Sequence, residues 1–417
     1  MHDIYKEVKN LCEGAKVAAP TLACASGEVR NGVLTAFAAL LRKNQENILA
    51  ANTADMEAAR ESGLSAAMMD RLLLTPARLE EIACAMEALV MQEDPIGLGT
   101  VQSRPNGMEI KHIRVPLGVV GVIFESRPNV SADIAGLCIK SGNAAVLRGG
   151  KEAIRSNTAI AEIAGDALES CGLPRACVSL ISFTDRAGAQ ALMEMRGLID
   201  VLIPRGGKGL IQNVVENAKV PVIETGAGNC HLYIHKDGDP DMAVSIAVNA
   251  KTSRPSVCNA IETILVHRDV AAELLPRIKQ ELVERGVELR GCPETVKIID
   301  VNPADDTDWA TEYDDLIVAV KVVGTIEEAV AHINRYSTNH SESIVTKDMA
   351  AASYFTGAVE SACVYVNVST RFTDGGCFGL GAEVGIATQK LPARGPLGLS
   401  ELTTEKYIIS GNGQIRE

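Results

Sequence analysis

The sequence predicts an α/β protein built on a parallel, doubly wound sheet. Three observations carry that prediction. From Val119 onward, short apolar runs alternate with stretches of helical period, the rhythm of strand, helix, strand. Apolar residues make up 47% of the chain, enough for sizeable cores. Its 417 residues suggest two or three domains at roughly 150 residues each.

The elements follow in order. Residues 1 to 94 read as helix: Val33, Leu34, Phe37, Leu40 and Leu41 recur at intervals of three and four. Ser65 and the Thr75-Pro76 pair read as helix starts, a capping side chain and, in the second, a proline at the first helical position. From Gly99 to Val115, the turn Pro105-Asn106-Gly107 between short alternating runs reads as a β-hairpin. Val119–Phe124, Ala144–Arg148, Val178–Ser182 and Val201–Pro204 then read as strands of the first sheet. A second α/β run follows Val222–Glu224, itself read as a strand ending at Glu224, with strands at Ile261–His267, Leu316–Val323, Ser343–Thr346 and Cys363–Asn367. Helices are expected between them near 269–285, 326–335 and 348–358. The tail from Leu391 is punctuated by Gly and Pro and ends in the alternating stretch Thr403–Ser410. A strand there and the hairpin at 100–115 would leave unpaired edges for another subunit to cover.

Composition excludes whole classes of function. Aromatics are only 3% and the net charge is −13, so neither base stacking nor phosphate-backbone binding is favoured. Charged residues at 22% fit neither a disordered chain nor a coiled coil. No run approaches the length of a membrane span, and no basic-then-apolar leader opens the chain, so a soluble cytoplasmic protein is expected. The eleven cysteines form no C-x-x-C pair and no zinc spacing with His. They read as reduced thiols in a reducing compartment, most of them small core fillers, and no metal site is expected.

Polar chemistry in a doubly wound sheet concentrates in the loops beyond the carboxyl ends of strands. Gly379-Leu-Gly381-Ala-Glu-Val-Gly385 nearly makes a dinucleotide fingerprint, but its last spacing is one too long. Arg205-Gly206-Gly207-Lys208-Gly209 follows a strand and opens a helix, so its amides could hold a phosphate. In Arg148-Gly149-Gly150-Lys151 two cations flank two glycines right after a strand, which suits a phosphate-bearing ligand. Surface charge and ordinary turns are the plain alternatives. Cys258 lies in Arg254-Pro-Ser-Val-Cys258-Asn-Ala260, in polar and turn company just before a strand, where amides and a nearby cation could supply thiolate. Glu224, in Val222-Ile-Glu-Thr-Gly-Ala-Gly-Asn229, lies 34 residues earlier.

Together these stretches resemble the aldehyde dehydrogenase superfamily. Pro116-Leu-Gly-Val-Val-Gly-Val-Ile123 is similar to that family's lead-in to the first cofactor strand, and Ser141-Gly-Asn-Ala-Ala-Val-Leu-Arg148 to its second. Glu224-Thr-Gly-Ala-Gly228 stands in place of its Glu-Leu-Gly-Gly motif, with Cys258 at the spacing of the nucleophile. Thr325–Asn334 and Phe378–Glu383 resemble later landmarks. The likeness is closer still to the branch that reduces γ-glutamyl phosphate, through Phe124-Glu-Ser-Arg-Pro-Asn129, Leu147–Lys151, Pro204–Gly207, Ala331–Glu342, Ser369–Gly375 and Leu391–Leu399.

The resemblance implies a Rossmann-type cofactor domain (1–99 and 116–226), an α/β catalytic domain with the cysteine (227–387), and a small β oligomerisation flap (100–115 and 388–417). It implies NADPH-dependent reduction of the anionic acyl phosphate to glutamate-5-semialdehyde through a thioester on Cys258, in proline biosynthesis. A separate glutamate 5-kinase would supply the substrate, and a homodimer or homotetramer is expected. By the same resemblance, Asn129 is the candidate oxyanion amide beside the Cys258 N–H, where one lost donor costs about 3 kcal/mol. The Glu125–Asn129 loop departs there from the usual superfamily sequence. Glu224 is expected to line the site or assist the reverse reaction, or else to be structural. Lys151 stands where NAD-using relatives place a carboxylate, which favours the 2′-phosphate of NADP, with Glu152 next door opposing it. Arg148, Gly149, Lys151, Arg205, Gly206 and Gly207 are the expected cofactor contacts, and Glu312 the expected partner of the nicotinamide ribose. Arg371, His340 and Arg127 are the expected substrate-anion partners. Two other readings stay open: a different thiol-dependent member of the superfamily, acyl-CoA-reducing or hydrolytic, and a non-enzymatic use of the scaffold.

Overall fold

The computed structural model describes residues 2–416. Five helices open the chain: His2–Cys24, Gly27–Lys43, Gln45–Glu61, Ala66–Leu72 and Pro76–Met91. Ser65 and Thr75 cap the fourth and fifth, accepting from the amides of Met68 and Arg78. Among the described residues no helix is long and apolar enough to cross a membrane.

The first sheet has four parallel strands, in the order Val178–Leu180, Ala144–Arg148, Val119–Phe124 and Val201–Arg205. All six residues of Val119–Phe124 are buried, as expected for a strand covered on both faces. Helix His2–Cys24 covers one side of this sheet through Val8, Cys12, Ala15 and Ala19.

The second sheet has seven parallel strands. Their order is Asn302–Pro303, Glu288–Gly291, Ile317–Val323, Ile261–His267, Cys230–Ile234, Ser341–Val345 and Cys363–Val366. Its core is aliphatic, with Leu232, Ile264, Val266, Leu274, Leu275 and Val320 all buried. The opening strand is not at Val222–Glu224. Residues 221–223 make only a short bridge, Leu202 N–H donating to the Pro221 carbonyl and Ile223 N–H to that of Leu202. Pro221 has no amide to extend that pairing, and the sheet is joined instead at Cys230–Ile234. A β-bulge sits there: Cys230 pairs with Ile261 but His231 with Thr263, so Glu262 is the extra residue.

Gly99–Ser103 and Glu109–Pro116 form the expected hairpin, and Thr403–Ser410 pairs along the whole of Glu109–Pro116. Both outer strands of this antiparallel sheet are edges, and Val101, Tyr407 and Ile409 on them are exposed. The chain divides into two compact units, one of residues 1–224, 379–385 and 397–417 and the other of 225–378 and 386–396. The hairpin and the last strand thus count with the first unit, whereas the sequence reading set 100–115 and 388–417 apart.

Candidate active site

Cys258 owes its position to a short turn between two rigid elements. Helix Pro240–Thr252, capped by Asp239, ends at Ser253, and strand Ile261–His267 is buried throughout. The intervening residues turn sharply, with Ala260 N–H donating to the Val257 carbonyl at 2.9 Å. Cys258 itself is half-buried.

The turn rests on a glycine. A Cβ on Gly228 would overlap the Cys258 carbonyl, and it would stand 2.5 Å from the Cys258 Cα. Only a residue without a side chain allows the two backbones to lie so close. Gly228 donates its N–H to Glu312 Oε1 at 2.6 Å, and Cys230 Sγ donates to the Cys258 carbonyl at 3.1 Å. The Cys230 thiol is fully buried, and burial pushes its pKa well above the ordinary thiol value. Its place is that of a structural donor, with the proton kept on sulfur.

Arg371 is held beside this turn. Its Nε donates to Ser253 Oγ at 2.9 Å, and one terminal nitrogen donates to Asn259 Oδ1. Burial lowers its pKa from the ordinary arginine value and Arg254 adds to that, while the charges of Cys258, Asp374 and Cys377 oppose it.

His340 is placed otherwise than expected. Its ring is wholly buried, with Nδ1 2.8 Å from Ser341 Oγ and 3.7 Å from Cys230 Sγ. Ser341 Oγ continues to Thr373 Oγ1 at 2.6 Å, and Tyr365 OH reaches the same Thr373 at 2.7 Å. The ring exposes no surface to a dissolved anion. Glu312, expected at a ribose, has one oxygen on the Gly228 amide.

In the first unit the cation–glycine turns follow strands, as the sequence suggested. Arg148 ends its strand and donates to the carbonyls of Gly149, Thr184 and Asp185. Burial lowers its pKa, against the raising effect of Glu152, Asp185 and Glu125. Its Nε is buried without a hydrogen-bond partner among the described residues. A Cβ on Gly149 would overlap the Asn157 amide. Lys151 is exposed at the start of a 3₁₀ turn. Glu152 is committed elsewhere: its Oε1 accepts from the Ser126 amide at 2.7 Å and the Ser126 hydroxyl at 2.6 Å. Ser126 holds that clasp with φ of 41°, a left-handed backbone uncommon outside glycine.

The Arg205-Gly206-Gly207 loop carries a carboxylate. Glu125 Oε2 accepts the Gly207 N–H at 2.9 Å, and Arg205 stands 3.9 Å from Glu383. Asn129 begins helix Asn129–Lys140 and spends its amide on Asp133 Oδ2 at 2.9 Å. Burial pushes the Asp133 carboxyl up to about 6, although Asn129 and Arg205 pull it down. Arg127 and Glu224 are both half-exposed. Among the described residues, no group of three or more His, Cys, Asp or Glu could hold a metal ion.

Sequence reasoning passed over Gly228, Cys230, Asn259, Ser341 and Thr373. Gly228, Asn259, Ser341 and Thr373 stood inside strings it singled out, and only their partners were hidden.

Residues 3–296 match the aldehyde dehydrogenase family. A γ-glutamyl phosphate reductase of Heliobacterium modesticaldum is 55% identical over 415 residues, 99% of this chain and all of that one. One from Clostridium acetobutylicum is 51% identical over the full length of both. The crystal structure of γ-glutamyl phosphate reductase from Thermotoga maritima superposes with a TM-score of 0.97 at 45% identity, covering 99% of this chain and 100% of that one. A glyceraldehyde-3-phosphate dehydrogenase of Methanocaldococcus jannaschii, complexed with NADP, shares the fold at TM-score 0.71 and 16% identity, over 98% of this chain and 95% of its own.

Proposed function

The chain belongs to the aldehyde dehydrogenase family, and from that premise we propose that it reduces L-glutamate 5-phosphate to L-glutamate 5-semialdehyde and phosphate, in proline biosynthesis from glutamate. Its full-length relatives carry the name of that activity. One observation carries the chemistry: the guanidinium of Arg371 is tied to Asn259, the residue bonded directly to the half-buried Cys258.

The Cys258 thiolate attacks the acyl carbon, and the C–O bond to phosphate breaks as the thioester forms. Arg371 pairs with an anionic group of the substrate, the α-carboxylate or the departing phosphate, through a guanidinium preset by Asn259 and Ser253. Arg127 is a second candidate for the same task. Phosphate leaves readily as a stable dianion. NADPH, when bound, supplies the hydride that brings the thioester to the aldehyde level. The C–S bond then breaks, returning the thiolate and releasing semialdehyde. The tetrahedral stages carry an oxyanion, for which the Cys258 amide and a side-chain amide are the donors proposed. Asn129 fills that second role only by giving up Asp133. For Glu224 the proposed role is lining or assistance to the reverse reaction, or a structural one, and not activation of water, which would hydrolyse the thioester.

The residues present fit a phosphorylated dinucleotide. Arg148 and Lys151 put two cations at one strand end, the buried Arg148 Nε lacks a partner among the described residues, and Glu152 is drawn off by Ser126. Arg148, Gly149 and Lys151 would hold the cofactor, with Lys151 on the 2′-phosphate. Arg205, Gly206 and Gly207 would join them once Glu125 leaves the Gly207 amide. Glu312, which accepts the Gly228 N–H, is the proposed partner of the nicotinamide ribose. His340 we assign to bracing the Cys230–Thr373 chain, because the ring is wholly buried. Cytoplasmic location, supply of acyl phosphate by a glutamate 5-kinase and self-association through the exposed hairpin sheet belong to the same reading.

The test is the reverse reaction. Reduction of NADP⁺ by glutamate-5-semialdehyde should require inorganic phosphate, which must release the acyl group from Cys258. Equal rates without phosphate would refute the proposal, and a requirement for coenzyme A would replace it with an acyl-CoA-reducing activity.

A further inference from the structure

The residue after the nucleophile is 5% exposed, and its side chain is fully engaged. Asn259 Oδ1 accepts from an Arg371 terminal nitrogen, while its Nδ2 donates to the carbonyls of Arg371 at 3.3 Å and Thr373 at 2.9 Å. Its own carbonyl accepts from the buried Thr370 hydroxyl at 2.6 Å. One amide thus grips both the guanidinium and the backbone of the loop that carries it. A carboxylate there would lose both donations, and an aliphatic side chain would lose everything.

The grip closes a circuit around the thiol. From Thr373 the chain runs through Ser341 Oγ and His340 Nδ1 to Cys230 Sγ, which donates to the Cys258 carbonyl. Cys258 is bonded directly to Asn259. The peptide bearing the sulfur is therefore fixed from one side by Cys230 and from the other by Asn259. Such closed networks hold geometry better than their bonds taken singly.

We propose that Asn259 is a positioning residue that sets the Arg371 guanidinium in register with the Cys258 sulfur. In the reaction, this register places the substrate's anionic group while its acyl carbon meets the thiolate; that part rests on the function proposed above. The register itself does not, and it can be read without substrate.

The experiment compares alkylation of Cys258 by iodoacetate, an anion, and by iodoacetamide, its neutral analogue, at one pH and ionic strength. A well-placed guanidinium raises the iodoacetate-to-iodoacetamide rate ratio, and Arg371→Ala should lower that ratio about fivefold. Asn259→Ala should reproduce most of that fall while the iodoacetamide rate stays within about twofold of the parent, because the turn still rests on Gly228 and Cys230. A general loosening of the fold would change both reagents alike and leave the ratio unmoved, which would overturn the proposal. So would an Arg371→Ala ratio equal to the parent's. If Asn259→Ala does not fold, Asn259→Ser answers the same question with the same outcomes. In turnover, the companion result is a rise in KM for the acyl phosphate larger than the fall in kcat. Should the ratio behave as expected while turnover ignores phosphate, the assignment of substrate fails and the positioning role stands.

Discussion

Gly228→Ala is the sharpest perturbation available, because it adds one methyl group and nothing else. The new Cβ would lie 2.5 Å from the Cys258 Cα, against the 3.4–4 Å of ordinary contact, and it would overlap the Cys258 carbonyl. The obstacle is backbone, so no rotamer change relieves it. The Cys258 turn or the segment carrying Gly228 must move by more than about 1 Å, and a displacement of that size costs on the order of 100-fold in rate when it misplaces a reacting group. That is about 2.7 kcal/mol of transition-state stabilisation. Overpacking should cost about 1–3 kcal/mol of stability besides. The assay is kcat/KM in the phosphate-dependent direction, with urea unfolding and Cys258 alkylation measured on the same preparation. Gly357→Ala is the control: it lies in helix Met349–Ala358, a Cβ there meets nothing within 4 Å, and it should leave activity alone while stabilising by about 0.5–1 kcal/mol. A Gly228→Ala enzyme within twofold of the parent in activity and in alkylation rate would refute the claim that the nucleophile is built on this glycine.

Two further predictions concern the charges. Lys151→Glu should weaken NADPH binding about tenfold or more and NADH binding little, since the proposed charge-assisted contact to the 2′-phosphate would be lost; equal losses for the two cofactors would dismiss it. Burial lowers the His332 pKa to about 2, with the charges of His231, Lys321 and Arg335 pushing the same way. The folded ring then stays neutral while the unfolded one takes up a proton below about 6.5. Stability from this group is present above about pH 6.5 and is lost at about 1.4 kcal/mol per unit as pH falls below it. Urea unfolding at pH 7 and pH 5 should show that loss in the parent and a smaller one in His332→Gln; equal losses would exclude His332 as the source.

The strands legible in the sequence are those whose ends are marked locally. Val119–Phe124, Ala144–Arg148, Ile261–His267 and Thr403–Ser410 fall where the sequence reading put them, each bounded by glycine, proline or polar turns. Cys230–Ile234 escaped because His231 breaks the apolar run. Its ring is tolerable inside only because Nδ1 lies 3.0 Å from Glu342, 111 positions away, and no local pattern reveals such a partner. The site divides along the same line. Cys258 stood out by its company in the chain, and Arg148 and Lys151 by following a strand. Asn259 was in plain view beside the thiol, yet its contacts lie 112 and 114 positions on. His340 resembled an anion ligand until the pairing of Ser341–Val345 with its neighbours buried it. Local chemistry announces which residues can react; sheet register decides which of them are reachable.

That register also explains why the thiol of the second unit stands at the amino ends of strands, opposite to the usual placing of ligands beyond carboxyl ends. Cys258 precedes the strand at Ile261, Gly228 the one at Cys230, and His340 the one at Ser341. These three beginnings are brought level by the bulge at Glu262. With regular pairing continued from His231 and Thr263, Cys230 would face Glu262; the extra residue sets it against Ile261 instead. One residue of strand is about 3.3 Å, comparable to the whole 3.1 Å length of the bond from Cys230 Sγ to the Cys258 carbonyl. Without the bulge that bond could not form in the same geometry, and the circuit through His340 and Thr373 would open. Glu262 meanwhile turns to Lys251, a pair 2.6 Å apart and fully buried. The bulge therefore advances the Cys258 turn by one residue onto its glycine support.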